Sequence, residues 1–197
     1  MPRGEGDRLR EDILAATEAL LLATADESAV AMRAIADAVG VTPPSIYMHF
    51  ADKDELILAV CARQFEKLDA YAAKSMRGAR DPLERLRRRG RAYIAFGVEH
   101  PAHYRILFMS KQRVSWSNFD DDTMPGKRSF LQLVDDVQAC VDAGSFRAVD
   151  PFVAATGIWA IVHGVTSLRI AMPHFPLVGD EVLTEFILDL IGRGLAP

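Results

Sequence analysis

The chain has 197 residues, half of them hydrophobic and a quarter charged, enough apolar material for one large or two smaller globular domains. Its formal net charge is −4, and residues 1–50 carry eight acids against four arginines, which excludes a broad basic surface as a means of holding nucleic acid. Two lone cysteines, Cys61 and Cys140, form no CxxC and exclude a disulfide framework, in keeping with a reducing, cytoplasmic setting; the charged first ten residues show no secretory apolar region.

Helical periodicity runs along the chain, with no strand alternation, internal repeat or low-complexity segment. The spacing of Leu9, Ile13, Ala16, Leu20 and Ala23 predicts a first helix over Asp7–Thr24. A second, Met32–Val39, stops at Gly40, a favourable residue just past a helix end. Thr42 is the N-cap of a third that ends near Phe50; Pro43 and Pro44 are tolerated in its first turn, where their missing N–H groups lack partners anyway. Asp52 caps a long fourth helix over 53–75, and Glu55 stands where it can reach back as in a capping box.

A composition break at Met76–Pro82 precedes a fifth helix over Pro82–Glu99. Its arginines Arg85, Arg87, Arg88, Arg89 and Arg91 read as a solvated face in preference to a phosphate-binding patch. Pro101 cuts this helix, and a short sixth follows with Tyr104, Leu107 and Phe108. Ser110–Pro125, with Trp116, Phe119 and the Asp120-Asp121-Asp122 run, reads as a polar loop. Three helices near Lys127–Ala143, Pro151–Ala171 and Glu181–Gly192 complete the chain. The apolar stretch Pro151–Ile170 is broken by Thr156, His163, Thr166 and Arg169, so it reads as a buried helix and not as a membrane span. The fold is therefore expected to be all-α with about nine helices. An N-terminal three-helix domain over 1–52 precedes a larger helical domain over 53–197, and the 53–75 helix connects the two.

The segment Met32–Phe50, MRAIADAVGVTPPSIYMHF, has the outline of a helix-turn-helix, whose second helix enters the major groove; a plain αα-corner has the same outline. Ile35, Val39, Ile46 and Phe50 fall where the helices face one another. Thr42, Ser45 and Tyr47 are left on the open face, and Tyr47, His49 and Lys53 flank it as phosphate donors, Lys53 in the first turn of the fourth helix.

The stretch AIADAVGVTPPSIYMHFADKDELI closely resembles the recognition segment of the TetR family of bacterial regulators. It carries the Ile35-Ala36 pair, Gly40-Val41-Thr42 at the turn, Tyr47-Met48-His49-Phe50, and Lys53 three residues after the Phe. The resemblance implies that Thr42, Pro44 and Ser45 approach bases and that Tyr47, His49 and Lys53 bind phosphates. It also implies a dimeric repressor on near-palindromic operator DNA, released by a small-molecule effector. Ala31 departs from the Thr common at the start of the second helix, and Arg33 is a substitute for its phosphate contact. Arg3, Arg8 and Arg10 read as free solvated charges.

In the C-terminal half, HPAHYRILF (His100–Phe108) and IWAIVHG (Ile158–Gly164) resemble a TetR subgroup named for its Trp and His-Gly residues. At 100° per residue Val153, Gly157, Ala160, Ile161, Gly164 and Leu168 share a smooth face of the Pro151–Ala171 helix; Phe152, Trp159, His163, Thr166 and Ile170 lie nearly opposite. The small-residue face, together with Phe186, Ile187 and Leu190 of the last helix, is expected to form a homodimer interface. Tyr93, Phe96, Phe108, Trp116, Phe130, Trp159 and His163 are the candidate walls of an effector pocket, and core packing is the other use for each. No GxSxG, P-loop or HExxH occurs, and Pro101 disturbs the spacing of His100 and His103. No catalytic residue, metal or cofactor is expected, and no membrane. An enzyme, or a helical interaction module without DNA binding, is the rival reading.

Overall fold

The computed structural model describes residues 3–24, 30–108, 124–174 and 178–197. Among them are nine helices and no strand: α1 (Arg3–Thr24), α2 (Met32–Val39), α3 (Pro43–Tyr47), α4 (Lys53–Ser75), α5 (Pro82–Glu99), α6 (Pro101–Phe108), α7 (Lys127–Asp142), α8 (Pro151–Ala171) and α9 (Asp180–Leu195). Most of the polar run expected as a loop lies outside the described residues, and so does Trp116.

The helix ends follow from local chemistry. Gly40 adopts φ 79°, ψ 32°, a left-handed conformation that costs a residue without Cβ little, and its N–H closes on the Ala36 carbonyl. Asp52 accepts from the Glu55 N–H at 2.8 Å, while Glu55 reaches back to the Ala51 N–H at 2.6 Å, one residue earlier than in the usual capping box. Asp81 and Asp150 cap α5 and α8 in the same manner, each ahead of a proline in the first turn. Thr42 has N-cap backbone angles but makes no side-chain cap. The two following prolines remove the first N–H groups that a cap would satisfy, and its hydroxyl pairs with Ser45 Oγ at 3.0 Å instead.

The chain divides into two compact units, 1–66 with 102–125, and 67–101 with 126–197. This division by packing does not fall at residues 52/53. Leu56, Ile57 and Val60 of α4 and Ile106 of α6 belong to the same core as Ile13, Leu14, Leu21, Val30, Ile35, Ala36, Ile46 and Phe50. A three-helix head is too small to bury its apolar faces alone, and the first half of α4 with α6 closes it.

The second unit is built on α5, which packs against α7, α8 and α9. Its core holds Leu86, Ile94, Leu133, Val137, Cys140, Phe146, Ala155, Ile158, Val162 and Ile191. A Cβ added to Gly90 would meet Leu188 Cδ2 at 2.5 Å, so α5 and α9 touch through a glycine. The arginine run of α5 is not a solvated face. Arg85 and Arg89 converge on Asp136 of α7 at 2.8 and 2.5 Å. Arg87 pairs with Glu185 and Asp189 of α9 at 3.6 and 3.5 Å, and Arg91 Nη2 donates to Glu185 at 2.8 Å. Hydrogen bonding from Arg91 holds the Glu185 carboxyl below its ordinary range. These pairs tie three helices together and leave the run little freedom for phosphate.

By length and apolarity α8 is a helix that qualifies to cross a membrane, yet its buried side packs on α5, α7 and α9 of the same unit. Much of the rest of its surface is exposed: Val153, Gly157, Ala160, Ile161, Gly164 and Leu168 all face outward.

Candidate nucleic-acid interface and aromatic cluster

The first unit presents a continuous polar edge. Ile35, Ile46 and Phe50 are buried and Val39 packs against them, which fixes the relative rotation of α2 and α3. With those faces spent inward, Arg33, Thr42, Pro44 and Tyr47 are exposed, and Ser45, His49 and Lys53 are half-buried. The α-helical part of α3 is only five residues long. It ends at Tyr47, not near Phe50, because the His49 and Phe50 N–H groups both turn back onto the Ile46 carbonyl. His49 and Lys53 therefore stand on the turn and on the first residue of α4, beside the helix that carries Thr42, Pro44 and Ser45.

The N-terminal turns of α1 come to the same place. The Arg10 guanidinium lies 4.8 Å from the centroid of the Phe50 ring, a cation–π contact, and is not the free solvated charge expected. A Cβ on Gly6 would lie 3.9 Å from His49 Cε1. Ala31 leaves α2 without a side-chain cap, as its identity requires, and Arg33 stands exposed in that first turn.

In the second unit four of the seven candidate pocket residues meet. The Trp159 Nε1–H donates to Tyr93 Oη at 3.2 Å, and Tyr93 Oη lies 3.0 Å from His163 Nδ1. His163 Nε2 lies 3.3 Å from Ser167 Oγ. An indole nitrogen only donates, so Tyr93 Oη accepts from Trp159; with Oη donating to Nδ1, the imidazole hydrogen sits on Nε2, facing Ser167. That order of donors requires neutral His163, and burial pushes its pKa below the ordinary value in the same sense. Phe130 stacks edge-on to Trp159 at 6.3 Å and to Phe152 at 5.1 Å.

Two of the other candidates, Phe96 and Phe108, go elsewhere. Phe96 is buried against Tyr71 and His100, with centroids at 5.8 and 5.2 Å. Phe108 belongs to the first unit, where it contacts Phe65 and Tyr104. Ser167 is the member of the network that sequence reasoning missed; it lies four residues after His163, a spacing that a search for hydrogen-bond partners on one helix face would have found.

The proposed interface residues lie on the outside of the second unit. Phe186 is 62% and Leu190 52% exposed, Ile187 is half-buried, and among the described residues nothing lies within 4 Å of a Cβ added to Gly157 or Gly164. No group of three or more metal-ligating side chains occurs among the described residues.

Residues 13–60 match the model of the bacterial regulatory proteins of the tetR family, and residues 86–190 match a tetracyclin repressor-like C-terminal domain. The chain belongs to the TetR family of transcription regulators, whose members bind operator DNA and small-molecule effectors and act as dimers. It is 26% identical over 188 residues to the HTH-type transcriptional repressor KstR2 of Mycolicibacterium smegmatis, covering 93% of this chain and 89% of that one. It is 32% identical over 116 residues to the HTH-type transcriptional activator FasR of the same organism. That match takes in 58% of this chain and only 48% of FasR, so the aligned part spans about half of that relative's length. A solved protein of unknown function from Rhodococcus sp. RHA1 shares the fold, with a TM-score of 0.80 at 22% identity and 96% of both chains covered.

Proposed function

We propose that this chain is a cytoplasmic, homodimeric repressor that reads a near-palindromic operator with α3 and releases it when a mainly apolar small molecule binds its C-terminal domain. The observation that carries the reading is the outward set Thr42, Pro44, Ser45, Tyr47, His49 and Lys53, assembled on one edge by the inward burial of Ile46 and Phe50. Thr42, Pro44 and Ser45 approach base edges; Tyr47, His49, Lys53 and Arg33 hold phosphates. Because the head is acidic, a few placed donors carry the binding. Lys53→Ala should then weaken binding about equally on all sequences and lower the salt slope by roughly one unit. Gel shifts at three ionic strengths test it: unchanged affinity and slope would remove Lys53 from the interface and weaken the whole assignment.

The effector side rests on the cluster of Tyr93, Phe130, Trp159 and His163. Rings supply apolar surface, while the Trp159–Tyr93–His163–Ser167 chain offers a polar end already satisfied without ligand. Trp159 and His163 of this cluster belong to the Ile158–Gly164 stretch that resembles the Trp and His-Gly subgroup. Phe96 and Phe108 have other ring partners and are left out of it. Release requires the ligand to prefer the free protein over the DNA complex. Trp159→Ala should blunt the response and spare the dimer. Calorimetry with the wild type in both states checks the mechanism, and equal affinity in the two would end it.

A further inference from the structure

The recognition edge carries one side chain that none of these roles uses. Met48, which closes α3, is 80% exposed, more than any other large apolar side chain among the described residues. Its position is fixed by backbone, since the N–H groups of His49 and Phe50 both bond to the Ile46 carbonyl and send Ile46 and Phe50 inward. It follows the exposed Tyr47 and precedes the half-buried His49, at the end of the helix whose start carries the Thr42–Ser45 hydroxyl pair. A thioether is a weak acceptor and no donor, so Met48 is unable to read the hydrogen-bonding pattern of a base edge. The major groove offers one apolar group among those edges, the C5-methyl of thymine.

We infer that Met48 is a specificity-determining residue that packs on a thymine methyl in each operator half-site. The inference rests on the DNA-binding reading above. It also meets a need peculiar to this chain: with eight acids against four arginines in residues 1–50, base contacts have to supply what phosphate attraction does not. The unbranched, polarisable side chain adapts its three torsions to a methyl whose exact position varies with local groove shape.

The test uses the full chain and the operator fragment recovered from genomic DNA by selection on it, with deoxyuridine replacing thymidine one symmetric pair at a time. At the contacted pair the wild type should lose about fourfold in affinity per methyl, roughly fifteenfold for both half-sites. Met48→Ala should lose a similar factor on the parent operator, bind the thymine and uracil forms alike, and keep the wild-type salt slope. Met48→Leu should retain most of the discrimination. Equal wild-type affinity for the parent and every uracil-substituted operator would overturn the inference, as would a Met48→Ala protein that still senses the methyl. Failure of the wild type to recover any specific DNA overturns the DNA-binding reading itself, a different result from specific binding without methyl sensitivity.

Discussion

Asp136→Ala should lower the thermal midpoint of the second unit by roughly 6–20 °C. Asp136 is 3% exposed and receives Arg89, itself 9% exposed, at 2.5 Å, with Arg85 on its other oxygen at 2.8 Å. Removing the carboxylate leaves the Arg89 guanidinium buried without its counter-charge, which costs about 3–5 kcal/mol in comparable settings. In a chain of this size each kcal/mol moves the midpoint by about 2–4 °C. Arg85, whose side chain is half exposed, adds little because solvent screens it. The double replacement Arg89→Met with Asp136→Leu should recover most of the loss, since burying neither charge avoids both desolvation penalties. Calorimetric scans of the two variants separate the possibilities. A fall of under about 2 °C for Asp136→Ala would mean that the pair behaves as a surface ion pair, against its burial.

What the sequence made legible, and what it did not, divides along the same line. Gly40, Asp52 with Glu55, and Pro82 after Asp81 are local signals, each setting a helix end through groups a few residues apart. All nine helices were therefore readable, and α2, α5 and α8 have their expected bounds. Helical periodicity also told which residues of α8 share a face, because that is geometry within one element. The partners of each face were not readable. The arginine run of α5 looks like a solvated patch until Asp136 and Glu185 arrive from 47 and 94 residues further on. Gly90 carries no mark in the sequence that Leu188 will press on it. Phe96 and Phe108 have the same composition and spacing as true cluster members, yet rotation of their helices gives them to Tyr71 and Phe65. The outward placement of Thr42, Pro44 and Tyr47 was legible because its signal is a dense local motif; the aromatic cluster was only half legible because it is assembled from three helices.

Gly164→Leu should convert a tight operator binder into a weak one, although the residue belongs to α8 of the second unit and not to the helix-turn-helix. Gly157 and Gly164 lie two turns apart on one face, and each costs the helix about 1 kcal/mol relative to Ala. Among the described residues nothing explains that cost, because an added Cβ at either position meets none of their atoms within 4 Å. Gly90, by contrast, is explained internally by Leu188. The two α8 glycines therefore suit the close approach of something outside the described residues, and Phe186 and Leu190 of α9, both more than half exposed, add outward apolar surface to the same unit. A second copy is the occupant that a symmetric operator calls for. The Arg87 and Arg91 pairs with Glu185 and Asp189 tie α9 to α5 with Phe186 and Leu190 outward. Leucine at 164 suits the isolated helix better than glycine does, so loss of folding is not the expected outcome; loss of the partner is. A monomer engages one half-site at a time and forfeits the effective concentration that links the two, a factor on the order of 10²–10⁴ in affinity. Sedimentation velocity and operator titration on the same preparation decide the matter, with Trp159→Ala as the control that should stay dimeric and bind normally. A Gly164→Leu protein that sediments as a dimer and holds the operator at wild-type affinity would place the subunit interface on another face.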